Sequence, residues 1–185
     1  YEYIWWNDIY SWYSCNDFVV SDWKKWKAFN FRNNIIVFSK WMSMNLSATG
    51  GTYSFWMKPS SVNNMVKPFS MFYSYNSTLW FWTGLIGSWT DDGTSVAWNL
   101  NIEKDNWYNV VFIINNDATK KIYVNWNFIA NWWVYSQNVV WKMLYLWGRI
   151  NSYPRDFFYW LMDEVRVYKR PFSENEVKAL YNATN

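Results

Sequence analysis

Hydrophobic and polar residues alternate in short runs along most of this chain, and the clearest run lies near its C-terminus. In the segment 161–168, Val165 and Val167 fall on one face of an extended chain. Glu164 and Arg166 fall on the other face. An alternation of this kind predicts a β-strand with one buried face and one solvated face.

A short helix is predicted directly after this strand. Pro171 lacks the backbone N–H that a β-ladder needs, so the strand should end before it. Ser173 is followed three residues later by Glu176, which is the pattern of a capping box at the start of a helix. The helix should continue through residues 177–180, so the chain is expected to end as strand, turn and helix.

The rest of the chain consists of similar short runs separated by Asn, Asp and Gly turn signals. The strongest are residues 109–115 and 121–124, which are rich in Val, Ile and Tyr. Because no long amphipathic helix accompanies these runs, the pattern predicts an all-β antiparallel sandwich. Besides one opening strand within residues 1–22, the predicted strands are 26–31, 34–38, 52–58, 70–75, 78–81, 85–88, 95–101, 109–115, 121–124, 144–147 and 161–168.

Several motifs carry a resemblance to a known family. A strand ending in Asp-Glu-Val-Arg-Val-Tyr (163–168), then a basic residue, a turn and Ser-x-x-Glu, resembles the C-terminal signature of laminin-G-like, concanavalin A-like jelly-roll domains. The resemblance spans roughly residues 23–181. It implies a two-sheet antiparallel jelly roll with a short C-terminal helix, as one domain over 1–185 that belongs to a larger bacterial surface protein. Further motifs in the family's order are Trp-Lys-Ala-Phe-Asn-Phe (26–31), Thr-Tyr-Ser-Phe-Trp-Met-Lys-Pro (52–59), Asn-Trp-Tyr-Asn-Val-Val (106–111), Lys-Ile-Tyr-Val-Asn (121–125) and Leu-Tyr-Leu (144–146).

Composition and charge exclude several classes of function. The chain of 185 residues is long enough for one domain with a substantial two-layer core. Its net charge of +3 is small and scattered, so we expect no nucleic-acid partner. No apolar run is long enough to cross a bilayer, and an export signal would have to lie outside this chain. The absence of histidine and the single cysteine, Cys15, exclude an internal disulfide, histidine zinc ligands and His-dependent nucleophiles.

One pair of acidic residues could suggest catalysis. Some relatives of this fold hydrolyse β-glucans with Glu-x-Asp-x-Glu-like acids on one strand, and Glu103 and Asp105 would share a strand face. The third acid is missing, because Trp107 and Tyr108 follow. A retaining glycosidase needs a separate general acid, so we interpret residues 103–106 as a polar loop and predict no enzyme activity. A glycoside hydrolase remains the less favoured alternative.

The resemblance also implies a metal site. In the family, the aspartate of Asp-Glu-Val often helps to bind a structural calcium ion, together with backbone oxygens of a loop that corresponds to residues 32–34 here. Asp163 and Asn33 are therefore the candidate calcium ligands, since calcium takes about six to eight oxygens. The alternative is that Glu164 and Arg166 form a cross-strand surface ion pair while Asp163 caps a turn.

Two polar loops are candidate ligand sites. Tyr153 offers a face on which a sugar ring can stack, and Asn151, Arg155, Asp91 and Asp92 offer hydrogen bonds to hydroxyl groups.

By its resemblance, the chain is expected to be a non-catalytic extracellular or cell-surface recognition module that binds carbohydrate or a protein surface. The main alternative is a ligand-free structural or spacer domain of an adhesin or pilus-like protein. The sequence leaves the oligomeric state open.

Tryptophan is unusually frequent, at 18 residues against 6 glycines, although glycine is normally about 7% of a sequence. Asn125-Trp126 lies between two alternating runs, where Asn-Gly would be the strongest short hairpin signal. Either the surface carries stacking platforms like those of sugar binders, or the gene comes from a bacterial lineage that reads UGA as glycine. On the second hypothesis Trp56 and Trp107 are genuine core residues, because the resembling family has Trp there. The positions that would stand for glycine are Trp23, Trp26, Trp126, Trp132, Trp133, Trp141, Trp147 and Trp160.

Overall fold

The computed structural model describes residues 9–10, 19–21, 28–30, 36–38, 50–60, 66–71, 74–82, 85–89, 95–100, 102–117, 119–133, 144–146, 149–150, 154–155 and 161–184. These residues form short strands followed by a C-terminal helix. The strands are β1 (Ile9–Tyr10), β2 (Val19–Ser21), β3 (Ala28–Asn30), β4 (Ile36–Phe38), β5 (Gly51–Lys58), β6 (Val66–Met71), β7 (Ser74–Trp82), β8 (Leu85–Trp89), β9 (Ser95–Asn99), β10 (Tyr108–Ile114), β11 (Thr119–Val124), β12 (Asn127–Trp133), β13 (Leu144–Leu146), β14 (Arg149–Ile150), β15 (Pro154–Arg155) and β16 (Leu161–Tyr168), and the helix is α1 (Glu174–Thr184).

The strands pair into two large antiparallel sheets and one small one. The first sheet has the order β1-β4-β13-β6-β7-β8-β9, and the second has the order β12-β11-β10-β5-β16-β3-β2. Strands β14 and β15 form a separate pair. This confirms the predicted all-β, two-sheet antiparallel fold with a short C-terminal helix. Within the described residues, no helix has the length and apolar character needed to span a membrane.

The second sheet has buried side chains on both of its faces around β10. Val111 and Ile113 pack with Val177 of α1, so the helix covers this outer face of the sheet. Val110 and Phe112 alternate with them along the strand and are also fully buried. In a two-layer sandwich this inner face is the one turned towards the other sheet. The helix therefore gives the second sheet a second hydrophobic face to bury.

Strand β16 has the predicted bounds but not the predicted alternation. Asp163 is paired with Trp56 of β5, and Arg166 is paired with Ser54, so two residues of β16 oppose the single residue between those partners. Glu164, at this bulge, has a φ of 52°. The bulge places one extra residue in β16 and so interrupts the imperfect alternation of faces that the sequence showed in this strand.

Other boundaries differ from the predictions by a few residues. The predicted strand 70–75 falls on the end of β6 and the start of β7. Strand β12, Asn127–Trp133, contains the alternating run that follows Asn125-Trp126 and was not among the predicted strands. Trp56 is 3% exposed, as expected for a core residue. Trp107 is only half-buried, so its predicted place in the core is wrong.

Candidate functional site

Helix α1 begins with the capping box that the sequence predicted. The Ser173 backbone N–H donates to Glu176 Oε2 at 2.8 Å, and the Glu176 N–H donates back to Ser173 Oγ at 3.4 Å. The Arg170 guanidinium contacts the same carboxylate. The Arg170 hydrogen bond, followed by the one from the Ser173 backbone, lowers the pKa of Glu176 to about 2. The start of the helix is thus fixed by a reciprocal pair of bonds and a cation.

The far end of the helix is fixed to strand β5 by Trp56. The Trp56 ring stacks on Tyr181, with ring centroids 5.7 Å apart and an interplanar angle of 28°. The Trp56 Nε1–H donates to Thr184 Oγ1 at 3.1 Å, so its one polar atom is satisfied although the ring is buried. Tryptophan at position 56 therefore joins the sheet to the helix by both stacking and hydrogen bonding.

The bulge in β16 holds the predicted metal ligand Asp163. The Glu164 N–H donates to Asp163 Oδ1 at 2.7 Å, and Arg166 Nη2 contacts Glu164 Oε2. Burial raises the pKa of Asp163 to about 6. These contacts match the alternative interpretation of a turn cap and an ion pair, except that the ion pair lies within β16 and does not cross strands. Asn33 lies outside the described residues.

The described residues do not assemble a metal cluster by themselves. Among them there is no group of three or more His, Cys, Asp or Glu side chains that could hold an ion. Asp163 is the one predicted calcium ligand that the description reaches, and calcium takes about six to eight oxygens. The calcium site therefore stays a prediction.

The predicted ligand loops lie largely outside the described residues. This applies to Asp91, Asp92, Asn151 and Tyr153. Arg155 lies in β15, where its Cα is paired with that of Arg149 in β14. In the sequence, residues 151–153 lie between these two antiparallel strands. The ligand assignments of all five residues stay predictions.

The acidic pair Glu103 and Asp105 lies in the polar loop that the sequence indicated. Glu103 Oε2 accepts a hydrogen bond of 2.8 Å from Asn106 Nδ2, and Asp105 Oδ2 is 3.6 Å from Lys104 Nζ. The Asp105 backbone N–H donates to the Pro59 carbonyl at 2.8 Å. Both carboxylates are exposed and take part in contacts within the loop that leads into β10. This arrangement is that of a structural loop.

The predicted hairpin at Asn125-Trp126 is confirmed. Val124 pairs with Asn127, so the two residues between them form the whole connection from β11 to β12. Both have left-handed backbones, with φ of 50° at Asn125 and 60° at Trp126. The Asn125 N–H donates to the Asn109 carbonyl, and the Asn109 N–H donates to Asn125 Oδ1, each at 2.9 Å. Strand β10 therefore anchors the turn through Asn125.

Exposed aromatic side chains lie beside this hairpin. Trp126 is 40% exposed and Phe128 is 50% exposed. Lys178 of α1 places its Nζ 5.0 Å from the centroid of the Trp126 ring, and Phe128 contacts Tyr123 edge to face at 5.5 Å. The sequence analysis did not single out Phe128 or Lys178. Phe128 pairs with Tyr123, which belongs to the buried cluster that the helix covers, and this long-range placement has no local sequence signal.

Comparison with known families identifies the class of this fold. The model of the concanavalin A-like lectin/glucanases superfamily, in its laminin G form, matches residues 33–178. The chain therefore belongs to this superfamily, and the resemblance drawn from its motifs is confirmed. Comparison with curated protein sequences gave no match.

The similar solved structures include receptor-binding domains of toxins. The binding domain of botulinum neurotoxin serotype D is 14% identical, with a TM-score of 0.62 over 85% of this chain and 42% of that one. A botulinum neurotoxin type C structure, described as depending on two ganglioside molecules for cell entry, is 11% identical, with a TM-score of 0.62 over 85% and 43%. The binding domain of botulinum neurotoxin DC, in complex with rat synaptotagmin II, is 12% identical, with a TM-score of 0.59 over 82% and 40%.

This chain thus covers well under half of each of those binding domains. At these identities the likeness concerns the fold. The superfamily match over residues 33–178 is what defines the class of this chain.

Proposed function

We propose that this chain is a non-catalytic recognition domain of a larger extracellular or cell-surface protein, and that it binds carbohydrate or a protein surface. The observation that carries the proposal is the match of residues 33–178 to a superfamily of lectins and glucanases. The acidic pair that would favour the glucanase branch, Glu103 and Asp105, is exposed and engaged in local loop contacts. Recognition without catalysis is therefore the function that the residues support best.

The proposed ligand site comprises Asp91, Asp92, Asn151, Tyr153 and Arg155. The pairing of β14 with β15 supports it, because Asn151 and Tyr153 lie in the sequence between these two strands and Arg155 lies in β15. Connecting loops on a rigid sandwich are where binding residues concentrate. An aromatic face and several amide and charged groups in such a loop suit the faces and hydroxyl groups of a sugar.

A glycan array with the purified domain tests this function. We expect binding that falls about fivefold in Tyr153→Ala, since losing an aromatic contact costs on the order of 1 kcal/mol. Phe128→Ala is the matched control, because it removes an exposed aromatic of strand β12 that is not part of the proposed site, and it should leave binding unchanged.

Other outcomes of the same assays distinguish the competing functions. No binding to any glycan or protein probe would favour a ligand-free spacer domain. Release of reducing sugar from β-glucan that disappears in Glu103→Gln would instead favour a glycoside hydrolase.

A structural calcium ion beside Asp163 and Asn33 is a further part of the proposal. Asp163 supplies a half-buried carboxylate whose charge a cation would neutralise, and the backbone of the 32–34 loop would supply further oxygens. Calcium should raise the melting temperature by mass action, and a chelator should lower it. Asp163→Asn should abolish this response. Identical melting of the unmodified domain with chelator and with excess calcium would exclude the site.

A further inference from the structure

The backbone at position 126 has the conformation that glycine adopts most readily. The connection between β11 and β12 has two residues, and both have positive φ, 50° at Asn125 and 60° at Trp126. This is the geometry of a type I′ turn, which favours Asn-Gly because Asn tolerates the left-handed region and Gly enters it without a steric penalty. A bulky side chain meets that penalty in full. The backbone at position 126 therefore has the conformation that is typical of glycine.

Among the described residues, no contact of the Trp126 side chain explains why a tryptophan should be there. The hydrogen bonds that hold the turn join Asn125 to Asn109 and involve no atom of the indole. The ring is 40% exposed, and its described cationic partner, Lys178, is itself exposed. An exposed cation–π contact of this kind is weak. The strain at position 126 has no evident compensation in packing.

Trp56 presents the opposite case. It lies in β5 and is absent from the described residues that have positive φ. Its ring is 3% exposed, stacks on Tyr181 and donates to Thr184. A smaller residue would lose all of these contacts. The structure thus separates a position that requires the indole from one that requires its absence.

We infer that position 126 is glycine in the protein as its own organism makes it, because its codon is UGA and that organism reads UGA as glycine. Position 56 is a genuine tryptophan encoded by UGG. When UGA is translated as tryptophan, UGA and UGG codons give the same residue in the sequence. The backbone conformation then distinguishes the two kinds of position. The ratio of 18 tryptophans to 6 glycines is the excess and the deficit that such a translation produces.

The inference applies only to positions at which the backbone conformation itself favours glycine. Trp132 and Trp133 both lie within the paired strand β12, so the backbone does not mark these two as turn positions for glycine. At position 126, glycine also removes the exposed indole. This hairpin then offers no tryptophan platform for a sugar, which leaves the proposed ligand loops unaffected.

The codons and the natural protein give the direct test. We expect UGA at position 126 and UGG at position 56, and in the protein isolated from its organism we expect glycine in the tryptic peptide covering residues 122–142. Fragmentation of that peptide locates the residue, and the peptide that contains Trp56 is the control. Tryptophan at position 126 in the natural protein would overturn the inference. Glycine at both positions would overturn the structural distinction on which it rests.

Stability provides a second test on the chain as printed. Trp126→Gly and Trp126→Ala both remove the indole and its contact with Lys178, but only alanine keeps a Cβ in the left-handed region. The glycine variant should therefore melt about 2–4 °C higher than the alanine variant. At Trp107, which lacks a positive φ, the order should reverse because glycine loosens the unfolded chain. An alanine variant at 126 that melts as high as the glycine variant would contradict the backbone argument.

Discussion

Two regions of the second sheet, its central strand β5 and the hairpin at its β12 edge, differ in how well the sequence agrees with the fold. Where β5 meets α1, the capping box, the buried Trp56 ring and its bond to Thr184 all favour the same structure. At the β11–β12 hairpin, the residue at position 126 opposes the backbone that it occupies. In natural sequences, the local conformational preference of a residue usually agrees with the conformation that the tertiary fold requires of it. A conflict that no contact offsets therefore raises the question of which residue the gene specifies.

Removing Trp56 should have the largest effect, because it breaks the contact between the central strand β5 and helix α1. Trp56→Ala should lower the free energy of unfolding by about 3–5 kcal/mol, since the ring fills the space between β5 and α1. Denaturant unfolding measures this loss. Trp107→Ala is the control and should cost less, because Trp107 is half-buried. Equal costs at the two positions would mean that the helix contact adds nothing.

Gly50 allows the comparison to be tested at a second left-handed position. Its φ is 63°, and an added Cβ would lie 2.5 Å from the Ile114 carbonyl oxygen and 2.7 Å from Asn116 Oδ1. Gly50→Ala should therefore cost more than about 1 kcal/mol, since backbone strain and a clash with the main chain add together. The denaturation midpoint measures the change. An unchanged midpoint would show that this chain tolerates side chains at positive φ, which would also weaken the argument at position 126.

Sequence reasoning succeeded where the signal was local. The Ser173–Glu176 cap and the bounds of β16 follow from residues close together in the chain, and both are confirmed. The bulge at Glu164 was missed because pairing with β5, about a hundred residues away in sequence, determines it. The expectation that Trp107 is buried also failed, because burial depends on distant neighbours. The candidate ligand loops combine residues from separate segments, so their geometry is not contained in any one local pattern.

The helix cap should contribute less than either buried position. Ser173→Ala should lower the free energy of unfolding by about 1 kcal/mol, because it removes the oxygen that accepts from the Glu176 N–H. Ser173→Asp is the matched control, since aspartate is an equally good cap. Comparison of the two denaturation midpoints measures the cap. If both variants lose the same stability, the serine contributes through something other than capping.

The charge on Glu176 should have the smallest effect, and pH reveals it. The Arg170 contact, with the Ser173 bonds, lowers the pKa of Glu176 to about 2, below its ordinary value of 4.5. The folded state therefore favours the ionised form. Its contribution is fully present above about pH 4.5 and is lost as the pH falls towards 2. Because the side chain is partly exposed, the contribution should be below about 1 kcal/mol.

Glu176→Gln isolates this charge, because glutamine keeps the capping hydrogen bonds. The difference in unfolding free energy between the unmodified chain and this variant should be largest near neutral pH and should shrink below pH 4.5. Glu174→Gln, which removes a charge from the same helical turn without the Arg170 contact described for Glu176, should show a weaker dependence. Equal pH profiles for the two variants would mean that the Arg170 contact adds nothing to the general preference for acidic residues at a helix N-terminus.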